Sequence, residues 1–389
     1  MTGSAQLSLV KSFRDHFAAR QLEVLALTRA LVETESPSGD EAGSKAVVSL
    51  LAAAARHIHA VTTIERIPSE NYGESLRIHA FGNGRNNTGN ILILGHTDTV
   101  HPLGSLQSRP WRVESNRAYG PGVFDMKANC ALALEAIRSC AMLKATPAPV
   151  VVLLTCDEET GSLTGRSLVE AEAKRARAVL VLEPPASGGR VKTGRKGTGM
   201  FTLNIQGKAA HAGLEPEKGA SAIVEMARQI EHLHRMNNAA TGIAVNVGVV
   251  RGGTVSNVVP AEATAEIDLR FSSSEEGKKA EAAILHLKPY DARVRLRVRG
   301  GINRPPLERT EKIRALYEQA RLIAAELEYD LGEAQVGGAS DGNFAAAVGT
   351  PVLDGLGIDG DGAHATHEHI LIDDIVRRGA LLSGLLATL

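Results

Sequence analysis

Three aliphatic runs set the frame of this chain: Ile91-Leu92-Ile93-Leu94, Val150-Val151-Val152-Leu153-Leu154 and Ala178-Val179-Leu180-Val181-Leu182. A run that is apolar at every position predicts a strand buried on both faces, as in a parallel sheet. Each run stops at polar residues: Gly95-His96-Thr97-Asp98, Cys156-Asp157-Glu158-Glu159 and Glu183-Pro184. Between the runs the apolar period lengthens to that of helices, over 128–142 and 162–175. Strands alternating with helices predict an α/β fold with a mostly parallel sheet and helices on both faces.

Upstream, Leu22, Leu25, Leu27 and Leu31 fall at helical spacing and predict one helix over 7–32, ended by Ser36-Pro37-Ser38-Gly39. Asp40 can cap a second helix through Ala46, Val47, Leu50 and Leu51. Strands are expected at 61–67 and 76–81, then a turn at Gly82-Asn83-Gly84 and a polar stretch, Arg85-Asn86-Asn87. After His101-Pro102, about twenty residues show no periodicity. Long structureless loops inside compact domains are usually functional.

From 201 the pattern changes. Phe201, Leu203 and Ile205 alternate with Thr202, Asn204 and Gln206. A helix is expected over 223–230, strands over 243–250 and 261–271, a helix over 274–287, and a strand in which Val294, Leu296 and Val298 alternate with arginines. The order β-α-β-β-α-β is the split, ferredoxin-like pattern, and clean alternation means one wet sheet face. After Gly300-Gly301 the first style returns: a helix over 310–327, a glycine-rich turn at 337–342, a short helix, a strand over 351–356 and a final helix over 373–386. The chain thus reads as a large domain over 1–193 and 304–389, interrupted by a small domain over 194–303.

Composition narrows the function classes. A length of 389 residues favours two domains, and 43% hydrophobic with 22% charged residues is ordinary for a globular protein. The net charge of −1, without a basic block, and the 3% aromatic content give no footing for nucleic acid or a membrane surface. The first twenty or so residues lack the apolar core of a signal peptide, and no apolar run is long enough to span a membrane. Three cysteines, Cys130, Cys140 and Cys156, are an odd number and too few for a disulfide framework. The expectation is free thiols in a reducing, cytoplasmic setting.

The chemistry lies at the strand ends and loops of the large domain, where His96, Asp98, Asp125, Glu158, Glu159, Glu183 and His364 gather. In an open α/β sheet, ligands bind beyond the carboxyl ends of the strands. One acid there is ordinarily a solvated surface group. Several carboxylates at one edge repel each other unless a cation sits among them. Imidazole with carboxylate is a ligand set that suits zinc, and also cobalt or manganese.

Gly95-His96-Thr97-Asp98, Gly120-Pro121-Gly122-Val123-Phe124-Asp125-Met126-Lys127, Asp157-Glu158-Glu159-Thr160-Gly161-Ser162, Glu183-Pro184 and Gly362-Ala363-His364 resemble the signature of the di-zinc aminoacylase and carboxypeptidase G (glutamate carboxypeptidase) metallopeptidase family. In the small domain, Gly207-Lys208-Ala209-Ala210-His211-Ala212-Gly213 and Val255-Ser256-Asn257-Val258-Val259-Pro260 add to it. The match runs along nearly the whole chain in the right order. It departs at Ala128-Asn129, where the family commonly has two glycines.

The resemblance implies a zinc-peptidase-like catalytic domain with an inserted dimerisation domain, and a cis peptide bond between Asp125 and Met126. It implies two zinc ions bridged by Asp125, one completed by His96 and Glu183, the other by Glu159 and His364. Asp98 would accept from the far nitrogen of His96, and Glu158 would be the general base. His211, reaching in from the partner subunit of a homodimer, would steady the oxyanion. Arg270, Asn257 and the backbone around Gly338, Ala339 and Ser340 would hold the substrate carboxylate. The implied reaction is hydrolysis of an amide bond next to a free α-carboxylate in a small peptide. Deacylation of an N-acyl amino acid, of the acetylornithine or succinyl-diaminopimelate kind, is the near alternative. A non-catalytic, metal-stabilised binding dimer is the alternative of another class, against which none of the implied ligands, nor the base, is missing.

Overall fold

The aliphatic run at 91–94 lies inside a six-stranded sheet, because both its faces find apolar cover. The computed structural model of the chain describes residues 3–82, 89–145 and 148–389. The turn residues Asn83-Gly84 and the polar Arg85-Asn86-Asn87 lie outside the described residues.

The amino-terminal helical stretch is two helices, α1 (Gly3–Ala19) and α2 (Gln21–Val32), and not the single one its spacing predicts. They part at Arg20, which leaves helical geometry (φ −119°, ψ 16°) and turns its guanidinium to Glu135. Phe13 and Phe17 bury before the break, Val24 and Leu31 after it. Periodicity does not see such a break, because the spacing resumes on each side. Asp40 caps α3 (Glu41–Arg56), its side chain accepting from the Ala42 N–H.

Strands β1 (Val61–Ser69), β2 (Gly73–Ala80) and β3 (Asn90–His96) follow. The stretch after Pro102 is not structureless. It holds a helical turn, α4 (Ser105–Ser108), and a hairpin of β4 (Arg112–Glu114) and β5 (Arg117–Tyr119). Then come α5 (Ala128–Met142), β6 (Val150–Thr155), α6 (Gly165–Arg175), β7 (Ala176–Val181) and β8 (Val191–Arg195). The next elements are β9 (Gly197–Gln206), α7 (Ala222–His234), β10 (Ala244–Gly252), β11 (Glu262–Phe271), α8 (Ser274–Leu285) and β12 (Arg295–Arg304). The chain closes with α9 (Glu311–Glu326), β13 (Glu333–Val336), α10 (Gly342–Ala347), β14 (Val352–Leu353), β15 (Gly360–Asp361), β16 (His369–Leu371) and α11 (Asp374–Thr388).

These elements form two compact units, one of residues 1–194, 309–336 and 340–389, the other of 195–308 and 337–339. In the first, the sheet order is β1-β2-β6-β3-β7-β14. Strands β6, β3, β7 and β14 run parallel, and β1 and β2 add an antiparallel edge. Ile93 stands opposite Val152 and Leu180. On one face, Ile91 and Ile93 join a core with side chains of α2, α5 and α11. On the other, Leu92, Leu94 and Val181 are equally buried, on the side where α6 and α10 pack. That double cover explains why these strands carry no polar alternation. The hairpin after α4 joins β16 and β15 in a small antiparallel sheet, which ties the loop to the segment bearing His364.

The second unit is an antiparallel sheet of order β10-β11-β9-β12 with helices α7 and α8, the ferredoxin-like arrangement. Its core takes the positions that alternation assigns to one face: Phe201, Leu203 and Ile205 from β9, and Ala263, Ala265, Ile267, Leu269 and Phe271 from β11. Met226 and Leu233 of α7 and Ile284 of α8 close it. Among the described residues, no helix is long and apolar enough to cross a membrane.

Candidate metal centre

Strand β3 delivers His96, fully buried, at its carboxyl end. Its neighbour Gly95 has no side chain for a reason: a Cβ there would meet Met126 Cε at 2.6 Å. Met126 uses that space to place its sulfur 3.4 Å from the His96 N–H. The turn before Asp125 depends on Gly122, whose φ is +72° and where a Cβ would come within 2.5 Å of Thr99 Cγ2. The Asp125–Met126 peptide is cis, as the family resemblance implies. Glu158 and Glu159 stand in a single helical turn after β6, Glu183 after β7, and His364 after β15.

The side chains converge as two cradles that share Asp125. His96 Nε2 lies 3.2 Å from Asp125 Oδ1 and 3.5 Å from Glu183 Oε1. His364 Nε2 lies 3.4 Å from Asp125 Oδ2 and 3.2 Å from Glu159 Oε2. Each oxygen of Asp125 thus serves one histidine. Glu158, also buried, offers an oxygen within 4.8 Å of ligand atoms on His96 and Glu183.

The chemistry of this donor set fits divalent cations. A tetrahedral ion with bonds of ~2.0–2.1 Å needs donors spaced roughly 3.3–3.5 Å apart. The separations found, 3.2–3.5 Å, are close to these and at or beyond the long end of the hydrogen-bond range. Glu159 Oε1 is buried without a hydrogen-bond partner, which is costly unless a positive group comes to it. The cluster draws positive charge. Burial pushes the His96 pKa down, but hydrogen bonds to Asp125, Asp98 and Glu183 outweigh it and carry the imidazole well above its ordinary value. Hydrogen bonds to Asp125 and Glu159 raise His364 to about 10. Burial would raise Asp125, but the two histidines hold it below the usual carboxylate range. Burial raises Glu159. His96, Asp125 and Glu183 could hold one cation, and Asp125, Glu159 and His364 a second.

Surrounding polar groups fix these donors. Asp98 faces His96 Nδ1 with its backbone carbonyl at 3.0 Å and its carboxylate at 3.4 Å. The same carboxylate accepts from the Glu158 N–H at 3.2 Å, the Glu159 N–H at 3.1 Å and the Ser38 hydroxyl at 2.6 Å. One side chain therefore sets both the imidazole and the paired glutamates. Asp157 is spent locally, capping α6 through the Thr164 and Gly165 N–H groups. Asn129, where the family commonly has glycine, accepts from the Ile358 N–H at 2.9 Å and fills the space beside Gly357.

Sequence reasoning missed Ser38, Lys127, His101 and Glu368. Lys127 is buried, donates to the Thr34 carbonyl at 2.6 Å, and is pushed down to about 8 by that burial. A lysine two residues after a loop acid reads as surface, and nothing in the spacing marks it as internal.

The remaining predicted residues belong to the second unit, Ser340 excepted. His211 is exposed, and its Nδ1 accepts from the Gly213 N–H at 3.2 Å. Asn257 is exposed, and its carbonyl accepts from the Ala212 N–H. Arg270 makes a two-point pair with Asp268, at 2.7 and 2.8 Å. The carbonyls of Gly338 and Ala339 accept from Arg195. Ser340 is buried; its N–H goes to Asn343 and its hydroxyl to Asp354.

Known proteins resemble this chain over most of its length. It is 32% identical over 369 residues to carboxypeptidase G2 of Pseudomonas sp. (strain RS-16), covering 92% of this chain and 87% of that protein. It is 32% identical over 311 residues to succinyl-diaminopimelate desuccinylase of Verminephrobacter eiseniae (strain EF01-2), covering 73% and 75%. The crystal structure of the YXEP protein of Bacillus subtilis, a dinuclear metal binding peptidase, superposes with a TM-score of 0.66 at 16% identity over 95% and 98% of the two chains. The family model for peptidase family M20/M25/M40 matches residues 92–388, and the chain belongs to that family of metal-dependent peptidases and amidohydrolases.

Proposed function

We propose that this protein is a carboxypeptidase of the carboxypeptidase G kind, cutting the amide bond next to a free α-carboxylate. The observation that carries the reading is Asp125 shared between two like cradles, with the buried Glu158 beside His96 and Glu183. His96 and Glu183 would hold one divalent cation, His364 and Glu159 the other, with Asp125 bridging; zinc suits the set best, cobalt and manganese next. When bound, such a pair supplies Lewis-acid activation of water and of the scissile carbonyl.

The chain's own residues do the rest. Glu158 takes a proton from the attacking water and passes it to the leaving amine nitrogen. Asp98 holds His96 in one orientation and pins the backbone of Glu158 and Glu159, so base and ligand keep their separate aims. His211 donates to the developing oxyanion. Arg270, with Asn257 and the Gly338–Ala339 turn, receives the α-carboxylate; Asp268 keeps the guanidinium oriented until substrate arrives.

A homodimer through the second unit fits this scheme. Strand β10 is an edge of its sheet, with Val250 49% exposed and Ile223 and Val224 of α7 similarly bare. Exposed edges are a liability unless paired, and pairing about a two-fold axis would let one protomer lend His211 to its partner's site. N-acyl amino acid deacylation is the second reading, favoured by the desuccinylase relative. Hydrolysis of a panel of peptidyl and N-acyl amino acids with zinc, cobalt and manganese tests the two. Preference for peptidyl or aroyl glutamates supports the first, and preference for acetyl or succinyl amines supports the second.

A further inference from the structure

We infer that Glu368 is a positioning residue for the metal cluster, the clamp that gives Asp125 its bridging pose. Its carboxylate is almost wholly buried, and four donors converge on it. Oε1 accepts from the Phe124 N–H at 2.9 Å and the Asp125 N–H at 3.0 Å. Oε2 accepts from the Gly122 N–H at 2.8 Å and from His101 Nε2 at 2.6 Å. Arg109 donates to the other ring nitrogen of His101, which leaves the proton on Nε2.

A carboxylate has about four lone-pair sites, and all four are filled. Glu368 therefore has no capacity to ligate a cation itself, although it stands four residues from His364. Its effect is on others. Three donors of the 122–125 turn, the N–H groups of Gly122, Phe124 and Asp125, the histidine five residues beyond His96, and the segment that follows His364 meet at this one side chain. Asp125 must offer one oxygen to each cradle, so a rotation of its backbone would spoil both at once. Three charge-assisted backbone bonds resist that rotation.

This inference rests on the metal reading of Asp125, and the test separates the two. Zinc affinity is measured by competition with a chromophoric chelator for the native protein, Glu368→Gln and Glu368→Asp, beside thermal midpoints of the chelator-treated proteins. In Glu368→Gln an amide donor faces the Gly122 N–H. Partners of this kind typically cost ~10–100-fold in metal affinity when changed. The expected result is that loss, a lower kcat at saturating zinc, a KM little changed, and partial recovery in Glu368→Asp. If Glu368→Gln does not fold, Glu368→Asp and His101→Asn carry the test, each expected to weaken zinc by ~10-fold. Native affinity and kcat in the folded variants overturn the inference. So does a lowered thermal midpoint with affinity and kcat unchanged, which marks a merely structural role. A native protein that binds no zinc overturns the metal reading instead.

Discussion

Replacing Glu158 by glutamine tests the assignment of the paired glutamates most sharply. The change is nearly isosteric and leaves the Glu158 N–H bond to Asp98 in place. It removes only the ability to take a proton. Both cradles keep their donors, because His96, Asp125, Glu183, His364 and Glu159 are untouched. General base catalysis typically contributes ~10²–10⁴-fold, equivalent to about 2.7–5.5 kcal/mol in the barrier. The expected outcome is a fall in kcat of that size, with metal content equal to the native protein by mass spectrometry of the digested sample. Loss of one metal would show that Glu158 is a ligand, an arrangement its approach to His96 and Glu183 makes geometrically accessible. Full activity would place the base elsewhere.

Three other outcomes follow from the same geometry. If His211 serves the partner's site, mixing His211→Ala with Glu158→Gln chains after dissociation restores activity, since each heterodimer has one intact site; a cis role restores none. Glu135 is buried, which raises its pKa, but bonds from His16 at 2.7 Å and Arg20 at 2.6 Å outweigh this and hold it below the usual range. A lowered folded-state pKa stabilises above the unfolded value and fades as pH falls through the folded one. The native protein should therefore exceed Glu135→Gln by about 1–3 kcal/mol in denaturant melts at pH 7, and the gap should narrow below about pH 4.3. Cys130 and Cys140 are free and pushed up to about 12 by burial, and Cys156 is buried too, so a thiol reagent at pH 8 should label none of the three until the protein is unfolded.

Much of the fold was legible because its signals are local. Runs such as Ile91–Leu94 are apolar throughout only because helices cover both sheet faces, and the alternation in β9 and β11 reports one covered face. The break at Arg20 was not legible, since its cause, Glu135, lies 115 residues away. The cluster followed from strand-end acids and histidines, and its grouping into two cradles from family resemblance. What holds it did not show. Glu368 looks like one more acid in a histidine-rich tail, and only tertiary structure brings the 122–125 turn to it. His364 adopts a left-handed backbone (φ 65°), which no residue type at that position announces.

The central claim is metal-dependent cleavage beside a free α-carboxylate, and a matched substrate pair tests it most directly. The protein is stripped with a chelator, restored with zinc, cobalt or manganese, and given an N-acyl glutamate and the same compound with its α-carboxylate converted to the carboxamide. Hydrolysis of the acid only, and only after metal is restored, is the predicted result. Turnover by the stripped protein, or equal cleavage of the carboxamide, would contradict it.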